Sequence, residues 1–423
     1  MHGWLRLVAA ILAGVLATGC APAGPEDGEA GQPSGPSQAE SGERPEPGGS
    51  TQQGHDERRE PRREGGGPDG GVAGGTDGDG QLPDGTVLAW TRGELPADLV
   101  DAVADHPAVA AVTVVEVATA GLVRTTGADG EPVDQTTEGR QLPVEVLAVD
   151  PASYQRVTGL AAVGRLGDGA ALLSETSAQV RGLGAGARLT FASGGDHEVV
   201  DVAADRLVGA AEVMVAVEDA PDDAVPRYLL ARPAEDAGDD VGEELAGVLP
   251  DDVAVRLRSR GETPVLRHAD AVTAPARLKS AFGEFALREA DGRAIDQEPG
   301  WVDEHVTAAE VPLLGTVTCH RDAIAPLRAA MEELERRGEA DLVDPSLYGG
   351  CWAPRFQDVT GPLSTHAWGV AIDLDPAGLP QGSDAEPPAV LVEVMAEHGF
   401  TNGAGWLLPD PMHFELVPDR DPS

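Results

Sequence analysis

The chain has 423 residues, which is long enough for two folded domains and a further segment without a core. Its 30 basic and 72 acidic residues give a net charge of −42, so the surface is strongly anionic and nucleic acid is excluded as an expected partner. An acid excess of this kind is typical of a solvated surface, and the single lysine, Lys279, indicates compositional bias. No mechanism follows from either observation.

The N-terminus is predicted to be a signal peptide over residues 1–20. Arg6 precedes the apolar run Leu7–Leu16, and small residues follow as far as Cys20. The run is shorter than the ~20 residues that span a bilayer, so a permanent transmembrane anchor is the weaker interpretation. The four residues ending at Cys20 resemble the lipobox of bacterial lipoproteins, although Ala17 stands where Leu is usual. This resemblance implies acylation of Cys20 and a lipid anchor in the cell membrane, with simple secretion as the alternative.

Two regions of different composition follow the predicted signal peptide. Residues 21–86 are rich in Gly, Pro, Ser, Glu and Asp, which predicts a disordered linker that serves as a flexible tether. Residues 87–262 contain short apolar runs separated by Gly and Asp turns, which predicts a separate α+β domain. The predicted strands are Val112–Val117, Val144–Val149 and Val199–Val202, and the predicted helices are Leu95–Ala104 and Val241–Leu249.

Within this α+β domain, residues 171–178 and 183–190 resemble the extracellular core domain of FtsX or MacB-type permeases. The resemblance includes no residues that carry chemistry. It implies a module that contacts a protein partner or presents a substrate, and a structural spacer is the alternative. His106 and His197 lie in this domain without partners at ligand spacing, so neither is assigned a role.

Two segments near the C-terminus predict a metal site. From Trp368 to Leu374 the chain alternates as a strand, and Asp373 lies on the face that otherwise carries small residues. Around His413, apolar residues at every second position leave the imidazole and Glu415 on the opposite face. Together, His366, Asp373 and His413 supply two imidazoles and one carboxylate, a set that leaves a tetrahedral zinc ion with one open position.

A further carboxylate, Asp410, precedes His413 by three residues and is followed by Pro411, which restricts the backbone on both sides. Zinc lowers the pKa of bound water from about 15.7 to roughly 7, but a carboxylate must still move protons. We therefore assign Asp410 as the general acid/base. Trp406 lies in the preceding loop, where it either lines the substrate cleft or packs beneath it.

The pattern Ser-x-His-x-x-Gly-x-Ala-x-Asp at residues 364–373, followed by Asp-x-x-His-Phe-Glu at residues 410–415, resembles the zinc D-alanyl-D-alanine carboxypeptidase and endopeptidase family. These are the VanY-like or M15 peptidases, and the similarity covers roughly residues 266–423. It implies a hedgehog/DD-peptidase-like zinc domain in an α+β chain. By position it implies that the zinc ligands are His366, Asp373 and His413. It also gives Asp410 the catalytic role that many family members assign to Glu.

Two residues before these ligands take candidate roles from the same resemblance. Arg355 matches the Arg that family members place before the first metal motif, where it holds the scissile carbonyl or its oxyanion. A guanidinium suits this role because it donates in a planar fork and keeps its charge, although a surface Arg is the alternative. Ser364, the first residue of the motif, is a candidate for orienting the substrate or a ligand.

The cysteine count agrees with export. If Cys20 is acylated, Cys319 and Cys351 remain as an even pair in an oxidising compartment. They flank a predicted helix whose N-cap is Asp322. A disulfide between them would tie this helix to the loop that carries Arg355, and two buried free thiols are the alternative.

The sequence therefore predicts an exported zinc peptidase that cuts peptidoglycan stem peptides outside the cytoplasm, with D-Ala-D-Ala carboxypeptidase as the first candidate. An L-Ala-D-Glu or cross-bridge endopeptidase remains open, because specificity depends on the shape of the pocket. A wall-binding lipoprotein without turnover is an alternative from another class, and the intact Asp410 speaks against it. The third alternative is a permease-associated scaffold built on residues 86–261.

Overall fold

The structure is a computed structural model. It describes residues 86–248, 256–258 and 273–418, apart from 92, 138, 194, 210, 239, 358–361, 376 and 407–408. The predicted signal peptide with Cys20, the predicted linker and the end of the predicted helix at Leu249 lie outside these residues. Within the described ranges, every helix is too short or too polar to cross a membrane.

The first described part, residues 86–258, is here called the β-domain. Its strands β1–β10 are Val87–Trp90, Val109–Thr126, Pro132–Gln135, Leu142–Val149, Ala170–Ser174, Arg188–Phe191, Asp196–Ala203, Val213–Ala216, Val225–Pro233 and Arg256–Arg258. Its helices α1–α4 are Ala97–Ala104, Pro151–Thr158, Glu175–Arg181 and Val241–Ala246. The strands and helices predicted for this region are confirmed, with differences at their ends.

The strands of the β-domain form one sheet in the order β10-β1-β9-β2-β4-β8-β5-β7-β6, and β3 pairs with β2. The long strand β2 also pairs with β6, so the path of pairing closes on itself. Every residue of β4 is buried, because this strand is covered on both faces. Val-rich runs suit such a position since β-branched side chains pack well on a pleated surface.

The second part, residues 273–418, is here called the C-terminal domain. Its helices α5–α8 are Pro275–Phe282, Pro299–His305, Arg321–Arg337 and Ala389–Glu397. Its strands β11–β18 are Leu287–Glu289, Ile295–Gln297, Val306–Val311, Gly315–His320, Tyr348–Gly350, Ala371–Leu374, Phe400–Gly403 and Asp410–Leu416. Two hairpins, β11-β12 and β13-β14, accompany an antiparallel sheet of order β15-β16-β18-β17. One hydrophobic core joins α7 and α8 to this sheet.

Two predicted boundaries in the C-terminal domain are wrong. Asp322 lies in the first turn of α7, and the cap is His320, whose Nδ1 accepts a hydrogen bond from the Asp322 N–H at 3.2 Å. The imidazole thus does what a Ser or Asp side chain usually does at this position. The strand predicted from Trp368 begins only at Ala371, because residues 365–368 form a 3₁₀ turn that ends at Gly369.

Gly369 explains that late start. Its φ is +70°, and a Cβ at this position would lie 2.7 Å from the backbone N of His320. Only glycine tolerates both the positive φ and the close approach. The chain turns here from the 3₁₀ turn into β16, and this turn orients the two segments that carry the predicted metal ligands.

The described residues of both domains belong to one compact unit. They meet at four buried or partly buried charges, here called the junction cluster: Arg181, Glu212, Lys279 and Glu284. Lys279 Nζ lies 2.8 Å from Glu212 Oε1 and 3.1 Å from Glu284 Oε1, and Arg181 Nη2 lies 2.7 Å from Glu212 Oε1. The single lysine of the chain is therefore a buried charge at a domain junction, not merely a sign of compositional bias.

Candidate metal centre

Antiparallel pairing of β16 with β18 positions two of the predicted ligands. Asp373 lies directly opposite His413 in this register, so their side chains leave the sheet on the same face. His366 approaches from the 3₁₀ turn at residues 365–368. All three side chains are buried. Burying such groups is unfavourable unless each has a partner for its charge.

The three side chains converge on one point. His366 Nε2 and His413 Nδ1 each lie 3.2 Å from the same oxygen, Asp373 Oδ1. One ligand atom from each residue can be chosen so that all three lie within 4.8 Å of one another. Two imidazole nitrogens and one carboxylate oxygen at this spacing fit a single divalent ion with an open coordination position.

Outer hydrogen bonds determine which nitrogen of each imidazole faces that point. His366 Nδ1 donates to the carbonyl oxygen of Cys351 at 2.7 Å, which leaves the lone pair on Nε2. His413 Nε2 lies 3.4 Å from Glu415 Oε2 and 3.4 Å from Thr365 Oγ1. Because the carboxylate can only accept, the neutral imidazole keeps its proton on Nε2, and Nδ1 is the nitrogen that gives up its proton to hold a metal. Metal-binding histidines are characteristically oriented in this way.

The electrostatics of the centre favour positive charge. Burial raises the pKa of Asp373, but its hydrogen-bond contacts with the His366 and His413 rings outweigh burial and hold the pKa below its usual value. Burial lowers the pKa of His413, but hydrogen bonds to Asp373 and Glu415 outweigh it and raise this pKa to about 10. The carboxylates around the imidazole therefore stabilise a cation, which is the charge that a divalent metal supplies.

Asp410 begins β18 and is buried beside the three ligands. Gln381 Nε2 donates to its Oδ2 at 2.9 Å, whereas its Oδ1 is buried without a hydrogen-bond partner among the described residues. Burial raises the pKa of Asp410, the nearby Asp373 raises it further, and His413 opposes both effects. A carboxylate with a raised pKa and a free oxygen beside a metal-type site is suited to proton transfer.

Arg355 lies in the loop that follows the disulfide. Its Nη2 is 4.0 Å from Asp373 Oδ2, and about a third of its side chain is exposed. Cys319 and Cys351 form the predicted disulfide, with their Cα atoms 5.4 Å apart. This bond ties the strand before α7 to the loop of Arg355 and to the Cys351 carbonyl that orients His366.

The two remaining predicted residues lie at the same centre. Ser364 is buried, and its Oγ accepts a hydrogen bond from the N–H of His366 at 3.4 Å, so it caps the turn that carries this imidazole. The ring of Trp406 lies 5.1 Å from the ring of His413. Both side chains line a cavity of about 200 Å³ together with the candidate ligands.

Sequence reasoning missed several residues of the centre. Glu415 stands two residues after His413, a spacing that places both side chains on one strand face, so this signal was present. Thr365 and Gln381 have no local signal, because they are brought to the site by a turn and by a loop. Cys351 contributes its carbonyl oxygen, which no side-chain pattern predicts.

The comparisons agree with this site. Residues 357–416 match the profile of a family described as D-alanyl-D-alanine carboxypeptidase. This segment contains the three candidate ligands and Asp410, while Arg355 lies just before it. The resemblance predicted from the sequence is confirmed over this segment, and the match indicates a peptidase.

Solved structures are similar to part of the chain at low sequence identity. The periplasmic region of MacB from Actinobacillus actinomycetemcomitans is 11% identical, with a TM-score of 0.29, over 42% of this chain and 90% of that chain. The extracellular domain of the ABC-type transporter YknZ from Gram-positive bacteria is 13% identical, with a TM-score of 0.27, over 41% of this chain and 99% of that chain. A search of the curated proteins found no match.

Proposed function

We propose that the protein is a zinc peptidase that hydrolyses peptidoglycan stem peptides as a D-Ala-D-Ala carboxypeptidase. The observation that carries the proposal is the convergence of His366, Asp373 and His413 on one point beside the buried carboxylate of Asp410. This arrangement lies inside the segment that matches the D-alanyl-D-alanine carboxypeptidase family. Site geometry and family match therefore support the same reaction.

The donor set is suited to zinc. His366 Nε2, Asp373 Oδ1 and His413 Nδ1 would hold the ion, since two imidazoles and one carboxylate are a common set in catalytic zinc sites. When bound, zinc supplies Lewis-acid chemistry: it lowers the pKa of a water molecule and polarises a carbonyl group. The Cys351 carbonyl and the Glu415 carboxylate hold the two imidazoles in the tautomers that this role requires.

The chain's own residues supply the remaining steps. Asp410 uses Oδ1, the oxygen without a hydrogen-bond partner among the described residues, to take a proton from the attacking water, and it passes this proton to the leaving amine nitrogen. Its raised pKa suits both halves of that transfer. Arg355 donates to the scissile carbonyl oxygen as it gains negative charge, a task that its permanently charged guanidinium can perform.

Ser364 and Trp406 have supporting roles in the proposal. Ser364 positions a ligand by capping the turn on which His366 stands. Trp406 forms part of the cavity wall beside His413, where an aromatic face can pack against the peptide. Ser364 is therefore proposed as a positioning residue and Trp406 as a substrate-binding residue.

We propose further that the chain is exported and anchored to the membrane by acylation of Cys20, with release from the cell as the alternative. The substrate is extracytoplasmic, and the disulfide between Cys319 and Cys351 is of the kind that persists in oxidising compartments. We also propose that the β-domain contacts a protein partner, which would position the tethered enzyme.

The experiment that tests the proposed reaction is digestion of purified muropeptides, followed by mass spectrometry of the products. We expect release of the terminal D-alanine from pentapeptide stems, and loss of this product in the presence of a metal chelator. Restoring zinc should restore the product. Cleavage within the stem or the cross-bridge would assign an endopeptidase, whereas retention of muropeptides without any product would overturn the proposed reaction.

A further inference from the structure

The strand β18, which carries Asp410 and His413, is irregular at the metal centre. Residues three apart in a regular strand point to opposite faces of a sheet, yet Asp410 and His413 both line the cavity. In the pairing with β17, Asn402 lies opposite Phe414, but the next residue, Gly403, lies opposite Asp410. One step along β17 thus matches four steps along β18, which means that β18 bulges between Asp410 and Phe414. Bulges re-aim side chains, and this one brings Asp410 to the side of the candidate ligands.

Pro411 explains why regular pairing stops at this point. The strand β18 lies between β16 and β17, so it is not an edge strand of the sheet. Proline has no N–H to donate, and away from edges and strand starts it is confined to bulges. The sequence Asp410-Pro411 therefore favours the irregularity. Carbonyl oxygens inside the bulge then need hydrogen-bond donors other than a regular ladder.

The side chain of Asn402 supplies these donors. Its Nδ2 donates to the Pro411 carbonyl at 2.9 Å and to the His413 carbonyl at 3.0 Å, and its Oδ1 accepts from the Ala404 N–H at 2.9 Å. A carboxamide has two N–H donors and one acceptor oxygen, and all three are used here. The chain contains no other asparagine, so a general compositional preference does not account for this residue. Asn402 therefore spans the bulge as far as the candidate ligand His413.

Gln381 and Gly382 hold Asp410 from a different element, the loop before α8. The Gly382 N–H donates at 2.6 Å to the carbonyl of Pro409, the residue before Asp410. Gln381 Nε2 donates to Asp410 Oδ2 at 2.9 Å, whereas Oδ1 is buried without a hydrogen-bond partner among the described residues. Because Gln381 occupies one oxygen of the carboxylate, it leaves the other oxygen available at the cavity that both residues line.

We propose that Asn402 and Gln381 are positioning residues for the proton transfer by Asp410. Asn402 holds the bulge that brings Asp410 beside His413, and Gln381 holds one carboxylate oxygen so that the other serves the attacking water. The proposal rests on the proposed peptidase function and deepens it, since it names the residues that set the geometry of the proton carrier. A carboxamide donates and accepts hydrogen bonds without titrating, so both residues act through the groups that they hold.

The test measures zinc affinity and turnover on the same full-length protein. Asn402→Asp keeps the size of the side chain but removes both donors, and Gln381→Met keeps the length without the donor. The matched controls are Thr401→Ser, at the neighbouring position of β17, and Glu386→Met, at an exposed residue of the Gln381 loop that does not line the cavity. Competition with a chelator gives the zinc affinity, and release of D-alanine from a pentapeptide stem gives kcat and KM.

We expect Asn402→Asp to weaken zinc binding and to lower kcat, each roughly tenfold to a hundredfold, the usual effect of removing a group that orients a metal ligand. Gln381→Met should lower kcat by a similar factor. It should leave zinc affinity and KM within about twofold, because the hydrogen bond that it loses is to Asp410 and not to a ligand. Both controls should match the wild type in all three values.

Melting temperatures show whether the variants remain folded. Gln381 is exposed, so Gln381→Met should melt like the wild type. If Asn402→Asp does not fold, zinc affinity and kcat are measured on Asn402→Ser, which keeps one donor and should give a smaller loss of both.

Zinc affinity and kcat in Asn402→Asp equal to those of Thr401→Ser would overturn the role of Asn402, and so would a lower melting temperature with both values unchanged. An unchanged kcat in Gln381→Met would overturn the role of Gln381. The proposed reaction fails separately. If zinc-loaded wild type releases no D-alanine but Asn402→Asp binds zinc more weakly, Asn402 still positions the metal centre and the peptidase function is wrong. An inactive wild type together with unchanged zinc affinity in Asn402→Asp overturns both.

Discussion

The metal centre and the junction cluster are both groups of buried charges, but they differ in how their partners are supplied. In the junction cluster, two cations face two carboxylates across the domain boundary, so the charges balance within the protein. Among the described residues Arg181 keeps one nitrogen, Nε, without a partner, while its other nitrogens bind Ser177, Glu212 and Glu284.

The metal centre is different because its unsatisfied group faces open space. Among the described residues, Asp410 Oδ1 has no hydrogen-bond partner and lies beside a cavity, and one nitrogen of each imidazole lies close to a single carboxylate oxygen. Buried polar groups that contact their partners stabilise a fold, whereas buried polar groups that face a cavity are available to bind a ligand. Geometry alone therefore distinguishes a structural cluster of charges from a candidate functional one.

The most complete loss should follow removal of a proposed zinc ligand. We expect His413→Ala to lose both the metal and all peptidase activity, since a single imidazole and a carboxylate hold zinc poorly. Metal content measured by mass spectrometry gives the answer directly. His398→Ala is the matched control, because this histidine lies at the end of α8, away from the centre, and should leave metal content unchanged. Full zinc occupancy in His413→Ala would remove His413 from the ligand set.

Replacing the proposed proton carrier should separate binding from chemistry. We expect Asp410→Ala to keep zinc but to reduce kcat by roughly 10²-fold to 10⁴-fold, the usual contribution of general acid/base catalysis. Metal analysis and kinetics on the same preparation test both halves of the statement. Asp384→Ala, at an exposed aspartate in a neighbouring loop, should change neither value. Unchanged turnover in Asp410→Ala would assign the proton transfer to another group.

A similar substitution in the junction cluster should lower the free energy of unfolding. Glu212→Gln leaves Lys279 and Arg181 buried without their shared carboxylate, so we expect the free energy of unfolding to fall by about 3–5 kcal/mol. Urea denaturation measures this change. The exposed pair Arg188–Glu198, 3.4 Å apart, provides the control: Glu198→Gln should cost no more than about 1 kcal/mol. Equal costs for the two substitutions would contradict a structural role for the cluster.

Stability should also depend on pH through the same carboxylate. Burial raises the pKa of Glu212, but Lys279 and Arg181 outweigh it and hold the pKa below its ordinary value of 4.5. A depressed folded-state pKa means that the stabilisation is present above about pH 4.5 and is lost as the pH falls through the lower folded-state value. Unfolding measured as a function of pH should show this loss in the wild type, and Glu212→Gln should flatten it. A stability that rises on acidification would contradict the assignment.

Much of the candidate site could be predicted from the sequence because its residues lie in short-range sequence patterns. Alternation around Asp373 and His413 predicts that each faces one side of a strand, and the structure pairs these strands with the two residues opposite each other. The same logic failed at Trp368, where a 3₁₀ turn precedes the strand. Here the close packing of Gly369 against the backbone of His320 determines the backbone conformation, and these two residues are far apart in the sequence.

Local patterns in the chain establish the set of chemical groups: two imidazoles and two carboxylates at motif spacing, and a pair of cysteines on either side of a helix. Long-range packing establishes which nitrogen of each imidazole faces the centre, that the single lysine is buried in a salt-bridge cluster, and that Trp90 and Arg227 line the cavity. The difference arises from distance along the chain. Strand and motif patterns arise from neighbouring residues, whereas these contacts form only when separate elements pack together.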